Sequence, residues 1–290
     1  MRLTKKKIII TVILLALLAV FCWFQNNYIT VSEYTFETEK ISAENDGFII
    51  VHISDLHNKT FGKNQKRLIN KVADCLPDII LVTGDIADRR DTEFSNAETF
   101  IKEAVKLAPV YYVTGNHEED LLEGEFNELI SGIEAAGAMW LDDELTEVLI
   151  GSGKDRLNIA GISNGSLTGP VAQKLSENAD HSQLTMLLAH QPQLLDYYAA
   201  QGYDMVFSGH AHGGQVRLPF IGGIIAPGQG FFPEYTEGAH VKDNTTMYIS
   251  RGLGNSICPL RLFNCPEVVC VRLELKKKTA VGIKPAAEFF

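Results

Sequence analysis

The chain lacks a basic excess. Its 26 lysines and arginines stand against 36 aspartates and glutamates, a formal net charge of −10, whereas a nucleic-acid binder ordinarily presents a basic face. No nucleic acid is therefore expected as a partner. Cysteine is scarce: Cys22, Cys75, Cys258, Cys265 and Cys270 make five. An odd count with no C-x-x-C spacing argues against a disulfide framework or a thiolate zinc site. Cys258 and Cys265 are near enough in sequence to pair, but reduced, partly buried thiols are the expectation. Internal repeats and low-complexity stretches are missing too, which excludes repeat arrays and biased linkers. What remains has ordinary proportions. Apolar residues make up 46% and charged residues 21% of 290 positions, enough for one large domain or two small ones with a full core.

Long charge-free apolar runs are missing with one exception. Arg2, Lys5, Lys6 and Lys7 precede Ile8–Phe24, which carries no charge. Its length is at the short end of the ~17–25 residues that cross a bilayer and is long for the apolar core of a signal peptide. Val20-Phe21-Cys22-Trp23 is too bulky for a small-residue cleavage site. The run is read as an uncleaved signal anchor over residues 1–27, with a cleaved peptide as the alternative. Cations before it and Glu33, Glu37 and Glu39 after it put positive charge on the cytoplasmic side. The reading is thus a single-pass protein of the cell membrane with its main domain, 28–275, outside the cytoplasm. The tail, 276–290, is basic, then small and apolar, and is expected to be loose.

From Asn26 to about Asp46 the alternation of Ile29, Val31, Tyr34 and Phe36 suggests a stalk or a first strand. A strand–helix rhythm follows. Phe48–Ile53 ends at Ser54-Asp55. Leu68, Val72 and Leu76 recur at helical spacing until Pro77, and Ile79–Val82 ends at Gly84-Asp85. Ser95-Asn96-Ala97-Glu98 has the form of a capping box and opens a helix with Phe100, Ile101, Ala104 and Val105 on one face. Val110–Val113 ends at Gly115-Asn116-His117. Leu157–Ile162, Leu184–Ala189, Met205–Phe207, Thr246–Ile249 and Val268–Leu275 read as later strands. The last alternates, with Val269, Val271, Leu273 and Leu275 on one side.

Chemistry collects where these runs stop: Asp55-Leu56-His57, Gly84-Asp85, Gly115-Asn116-His117-Glu118, His190, and Gly209-His210-Ala211-His212. Open α/β sheets bind ligands beyond the carboxyl ends of their strands. Carboxylates, imidazoles and one amide oxygen suit Zn²⁺, Fe and Mn²⁺. Taken singly, each motif has a blander reading. A strand-end aspartate is most often a turn residue, and a lone histidine such as His190 sits more often in core or surface than on a metal. Recurrence at five strand ends favours metals. Seven candidate ligands are too many for one tetrahedral ion and suit two ions that share a carboxylate. Gly209, Gly213 and Gly214 permit backbone angles that other residues resist. They are expected to turn the chain so that His210 and His212, on one side of an extended segment, reach different ions.

In order and spacing, Asp55-x-His57, Gly84-Asp85-x-x-Asp88, Gly115-Asn116-His117-Glu118, His190 and Gly209-His210-x-His212 resemble the five-part signature of the calcineurin-like metallophosphoesterases. The resemblance covers roughly residues 48–275. Gly209–Pro219 with Arg251-Gly252-Leu253-Gly254 is similar to the membrane-anchored bacterial branch, which includes enzymes similar to UDP-2,3-diacylglucosamine pyrophosphatases. The resemblance implies an α/β sandwich of two mixed β-sheets flanked by helices, preceded here by one transmembrane helix. It implies a hydrolase with two divalent metal ions, Mn, Fe or Zn. Asp55, His57 and His212 would hold one ion, Asn116, His190 and His210 the other, and Asp85 would bridge them. His117 would sit beside the phosphate as a catalytic residue rather than a ligand, with Asp88 in support. Such roles are physically coherent. A carboxylate has two oxygens to share, two metals ~3.5–4 Å apart clamp an in-line displacement and acidify water, and an imidazolium stabilises or protonates phosphoryl oxygens. A neighbouring carboxylate orients the ring.

The implied activity is hydrolysis of a phosphate ester or pyrophosphate, and the anchor favours a lipid-linked or membrane-proximal substrate. An outward domain sits awkwardly with a cytosolic nucleotide-sugar lipid, so a cell-wall or nucleotide phosphodiester outside the cytoplasm competes. A non-catalytic metal-binding interaction protein is the alternative from another class. Loss of His117 or of the bridging carboxylate would mark it, and both are present. Among the remaining residues, His52 is read as structural, Asp88 has a helix cap as its alternative, and His181 and His240 are read as solvated. Arg217 and Arg251 divide between substrate phosphate and surface pairing. Phe220, Phe231, Phe232 and Tyr235 are read as loop-packing aromatics, with an apolar rim or membrane-facing lip as the sharper alternative.

Overall fold

The computed structural model describes residues 5–256 and 259–277. Cys258, and with it a pairing to Cys265, lies outside the described residues, as does the tail beyond Lys277.

The apolar run forms helix α1 (Lys5–Asn27), long and apolar enough to cross a membrane. Its side chains are exposed from Lys5 to Val20. The helix stops at two asparagines whose amides turn back on its last carbonyls, Asn26 Nδ2 to Cys22 O and Asn27 Nδ2 to Trp23 O, both 2.8 Å. Lys59 and Arg67 donate to the carbonyls of Asn26 and Asn27, cations where the helix dipole favours them.

The chain then alternates. β1 (Thr30–Thr38), β2 (Ile49–Ile53), α2 (Lys66–Asp74), β3 (Ile79–Thr83), α3 (Ser95–Ala104), β4 (Val110–Val113), α4 (Asn116–Glu119), α5 (Glu123–Ala135) and β5 (Met139–Trp140) form a first half. β6 (Glu144–Ile150), β7 (Asp155–Gly161), α6 (Val171–Glu177), β8 (Leu184–Leu188), α7 (Leu195–Ala200) and β9 (Met205–Ser208) follow. Two small hairpins come next, β10 (Arg217–Leu218) with β11 (Gly222–Gly223), and β12 (Ile225–Ala226) with β13 (Gly230–Phe231). β14 (Gly238–Lys242), β15 (Thr245–Ile249) and β16 (Glu267–Leu275) complete the order.

The strands make two mixed six-stranded sheets, ordered β1-β16-β2-β3-β4-β5 and β14-β15-β9-β8-β7-β6. In the first, β2 to β5 are parallel and β16 runs against β2. In the second, β15, β9, β8 and β7 are parallel between antiparallel edges. The sheets pack face to face. Ile50, Leu81 and Val113 of the first meet Leu157, Met186 and Phe207 of the second. Helices α2, α3 and α5 cover the outer face of the first sheet through Leu68, Phe100 and Leu129. α6 and α7 cover the second through Leu175, Leu195 and Tyr198. Central strands are thus buried on both faces, which is why they read as unbroken apolar runs. This is the α/β two-sheet sandwich the motifs led one to expect.

Three local readings are refined. β1 is a strand, not a stalk, paired with β16 from Thr30↔Glu267 to Thr38↔Leu275. β16 alternates between two cores rather than between core and water: Val269, Val271 and Leu273 fill the space between the sheets, and Val268 and Cys270 face the outer helices. α3 has Phe94 at its N-cap, so Ser95 lies one residue inside the helix and the capping box does not form.

Candidate metal centre

The five motif-bearing strands end on one edge. β2 leads into Asp55 and His57, β3 into Asp85, β4 into Asn116 and His117, β8 into His190, and β9 into His210 and His212. The loops depart from ordinary backbone. Asp55, His57, Asp85, His210 and His212 have φ of 54°, 47°, 51°, 65° and 48°. The left-handed region costs a non-glycine residue about 1–3 kcal/mol and concentrates at functional sites. Gly213 and Gly214, at φ 61° and 77°, take the left-handed angles expected of them. His210 and His212 turn left-handed as well, so the segment is folded rather than extended. Gly209 serves close approach instead: a Cβ there would fall 1.9 Å from Ser54 Oγ. At Gly115 a Cβ would fall 2.2 Å from Asp85 Oδ1.

The side chains converge in two groups that share Asp85, and a third, His57 with Asp88 and His117, adjoins them. His57 Nε2 lies 3.2 Å from His212 Nε2 and 3.8 Å from Asp85 Oδ2. His212 Nε2 lies 3.4 Å from Asp55 Oδ1. On the other side, His190 Nε2 lies 3.2 Å from Asp85 Oδ2 and 3.1 Å from His210 Nδ1. Ligand atoms of Asp55, His57, Asp85 and His212 all fall within 4.8 Å of one another, and so do those of Asp85, His190 and His210. Asp85 belongs to both groups. Two nitrogens bound tetrahedrally at ~2.0–2.1 Å are about 3.3 Å apart, which is the spacing seen here.

Asn116 sits between Gly115 and His117, the latter donating its backbone N–H to Asp85 Oδ1 at 2.8 Å. Its buried Oδ1 has no hydrogen-bond partner among the described residues. A buried acceptor left unpaired costs about 1–3 kcal/mol. A cation is the partner that this donor set fits.

Electrostatics lead to the same conclusion. Burial lifts the Asp55 carboxyl to about 7. It pushes His57 and His210 down to about 3, and His212 well below its usual range. Burial also opposes charge on Asp85 and His190, but their mutual attraction prevails: Asp85 is held well below the carboxylate range and His190 is raised to about 10. Among protein groups alone, His190 is the one imidazole drawn to the charged form. Buried carboxylates beside imidazoles that resist protonation are a combination that divalent cations reconcile.

His117 stands beside this cluster, its ring edge-on to His57 with centroids 4.4 Å apart. Its Nδ1 accepts the Arg89 N–H at 3.3 Å and lies 3.4 Å from Asp88 Oδ1. Burial lowers its pKa. Asp88 is held chiefly by Arg90, through Nε at 2.9 Å, the backbone N–H at 3.0 Å and Nη2 at 2.6 Å. These bonds outweigh burial and set its carboxyl at about 2. Asp88 thus touches the His117 ring without being its dedicated partner, and it begins no helix.

Two supporting groups, one of them within a quoted motif, carry roles that the sequence does not assign. Glu118 is fully buried and accepts from Asp85 N (2.8 Å), Ala87 N (3.0 Å) and Gly115 N (2.8 Å), bracing two motif loops together. Asn264 donates through Nδ2 to His212 O at 2.7 Å and Gln215 O at 2.9 Å. Its own N–H goes to Gln25 Oε1 of α1 at 3.1 Å. His52 is structural: its Nε2 pairs with Thr83 Oγ1 at 2.7 Å, and the Thr83 carbonyl receives His190 Nδ1 at 2.7 Å. Arg217 pairs with Glu237, and Arg251 with Glu267 at 2.9 Å, so both are engaged within the protein.

Fold and site together define a two-sheet α/β protein with a buried histidine–aspartate cluster suited to two metals. The family described as calcineurin-like phosphoesterase matches residues 48–214, and the chain belongs to it. The chain is 28% identical over 257 residues (87% of this chain, 88% of the relative) to the uncharacterized metallophosphoesterase YkuE of Bacillus subtilis (strain 168). It is 30% identical over 227 residues (76% and 81%) to the uncharacterized metallophosphoesterase YkoQ of the same strain. It is 28% identical over 237 residues (78% and 82%) to the phosphodiesterase YaeI of Escherichia coli (strain K12). The protein is a phosphoester hydrolase by family. These relatives do not single out the UDP-2,3-diacylglucosamine branch.

Proposed function

We propose that the domain, 28–275, hydrolyses phosphate ester or pyrophosphate bonds in a lipid-linked or membrane-proximal substrate, held at the bilayer by the anchor 1–27. Asp55, His57 and His212 would hold one cation and Asn116, His190 and His210 the second, with the Asp85 carboxylate shared between the two groups. The observation that carries this reading is the convergence of separate strand ends on Asp85, with nitrogen pairs at 3.1 and 3.2 Å. When bound, two divalent cations neutralise phosphate charge and acidify water.

The chain supplies the rest. With Arg89 N–H donating into Nδ1 of His117, the neutral ring carries its proton on Nε2. His117 can then donate a hydrogen bond from Nε2 to a phosphoryl oxygen. The Arg89 N–H fixes the ring, and Asp88, bound by Arg90, lies beside it. Glu118 fixes the loops on which Asp85 and His117 ride. The name of the relative YaeI supports a phosphodiester as the second substrate reading.

Full chain purified in detergent with Mn²⁺ should hydrolyse a nitrophenyl phosphomonoester or phosphodiester. Asp85→Asn should lower turnover at least ~10²–10³-fold, the scale on which lost transition-state stabilisation is felt. Undiminished turnover in Asp85→Asn contradicts the proposal. Charge flanking α1 supports an outward domain. A phosphatase reporter fused at the C-terminus should be active, and an inactive reporter places the domain in the cytoplasm.

A further inference from the structure

We propose that hairpins β10–β11 and β12–β13, together with Phe263, form an apolar lip that enters the leaflet facing the domain and seats the metal-centre edge against the bilayer. This rests on the reading that α1 crosses that bilayer. Phe220 is fully exposed, and Phe231, Phe232, Ile221 and Phe263 are 73%, 68%, 60% and 54% exposed. The loop-packing expectation holds for Tyr235 alone, which packs on the outer core of the second sheet. Elsewhere in the domain, exposed large apolar side chains such as Leu76, Leu122, Leu149 and Val241 lie apart in sequence, as on ordinary surfaces.

The lip is continuous with α1. The Phe21 ring meets Phe263 with centroids 5.5 Å apart. Leu262 bridges to Val216, and its carbonyl accepts Arg217 N–H at 3.0 Å. Ile224 N donates to Val216 O, and Phe232 N to Ile224 O, both at 2.9 Å. The contact chain therefore runs from helix to both hairpins.

Depth follows from helix geometry. Ile8–Phe24 spans about 25 Å at 1.5 Å per residue, short of the ~30 Å hydrocarbon core. Phe263 touches α1 three residues, or about 4.5 Å, before that run ends. Burying the run submerges Phe263 just beneath the interface. At the foot of α1, Trp23, Phe24 and Tyr28 share a groove of about 370 Å³ with Arg67, Lys71 and Asp74, an aromatic and net cationic mixture that suits headgroups. The anchor thus delivers a bilayer to this surface, which makes lipid its occupant. A second cavity of about 370 Å³, lined by Gln215, Ile225, Ala226, Pro227 and Gly230, lies between the β12–β13 hairpin and the His212 turn. It offers apolar space at the base of the lip for a lipid chain.

The test uses full chain carrying Trp23→Phe, reconstituted in phosphatidylcholine–phosphatidylglycerol vesicles with brominated acyl chains. Trp140, packed on Phe126, is a constant background. Phe220→Trp and Phe231→Trp should each lose at least half of the added emission to bromine. Leu149→Trp, exposed at the far end of the second sheet where it pairs with Arg156, should lose none. Equal quenching at all three positions, or quenching at none, overturns the lip. If the chain resists carbonate extraction while the lip stays unquenched, the anchor stands and the lip fails; carbonate release sinks both. Turnover is not read, so the outcome is independent of the hydrolase proposal.

Discussion

At the scale of single residues, the site was legible where its chemistry is side-chain chemistry. Asp55, His57, Asp85, His190, His210 and His212 could be read because carboxylates and imidazoles recur at strand ends, and the structure brings them together. Glu118 and Asn264 could not, because their partners are backbone groups that no pattern of letters displays. Glu118 had a faint signal, three residues after Gly115 at the start of α4. The same burial makes a pH prediction. Burial holds His52, His57, His117, His210 and His212 below the ordinary 6.5. From pH 6.5 down to about 3, the value to which His52, His57 and His210 are pushed, the unfolded chain takes up protons that the folded sites refuse, so their contribution to stability is present above 6.5 and lost as pH falls. His190 at about 10, with Asp55 and Glu118 at about 7, binds protons in the folded chain and opposes this. Three opposing sites against five leave a net loss. Chelator-treated protein should melt several degrees lower at pH 5 than at pH 7 by circular dichroism. A melting temperature that holds or rises on acidification contradicts the assignment.

At the scale of elements, doubly buried strands announced themselves as apolar runs, and their ends were read to within a residue or two. Short edge strands such as β5 and the four hairpin strands are too brief for periodicity to show. The function of the end of α1 was also hidden. Gln25 is buried and accepts the Asn264 N–H, while Asn264 holds the His212 carbonyl. The last turn of the apolar helix is thereby part of the support for the metal centre, a role that a cleaved peptide would forfeit. Gln25→Ala leaves a buried N–H unpaired, at about 1–3 kcal/mol. In detergent, full chain with this change should melt a few degrees lower and bind Mn²⁺ more weakly, whereas Leu18→Ala, on the exposed part of the same helix, should change neither. Equal effects of the two substitutions would remove α1 from the account.

For the whole molecule, two parallel sets of strands, one per sheet, direct their carboxyl ends to a common edge, and the helix that can cross a membrane docks at that edge through Asn264 and Lys59. Sequence order could establish the strand–helix rhythm but not which sheet each strand joins, because pairing across more than 200 residues, as between β1 and β16, leaves no local trace. The central claim is that this edge holds two cations sharing Asp85. Anomalous diffraction from crystals grown with Mn²⁺ tests it most directly. Two peaks ~3.5–4 Å apart, one beside His57 and His212, the other beside His190 and His210, with Asp85 between them, are the expected result. A single peak, or none within reach of Asp85, contradicts it.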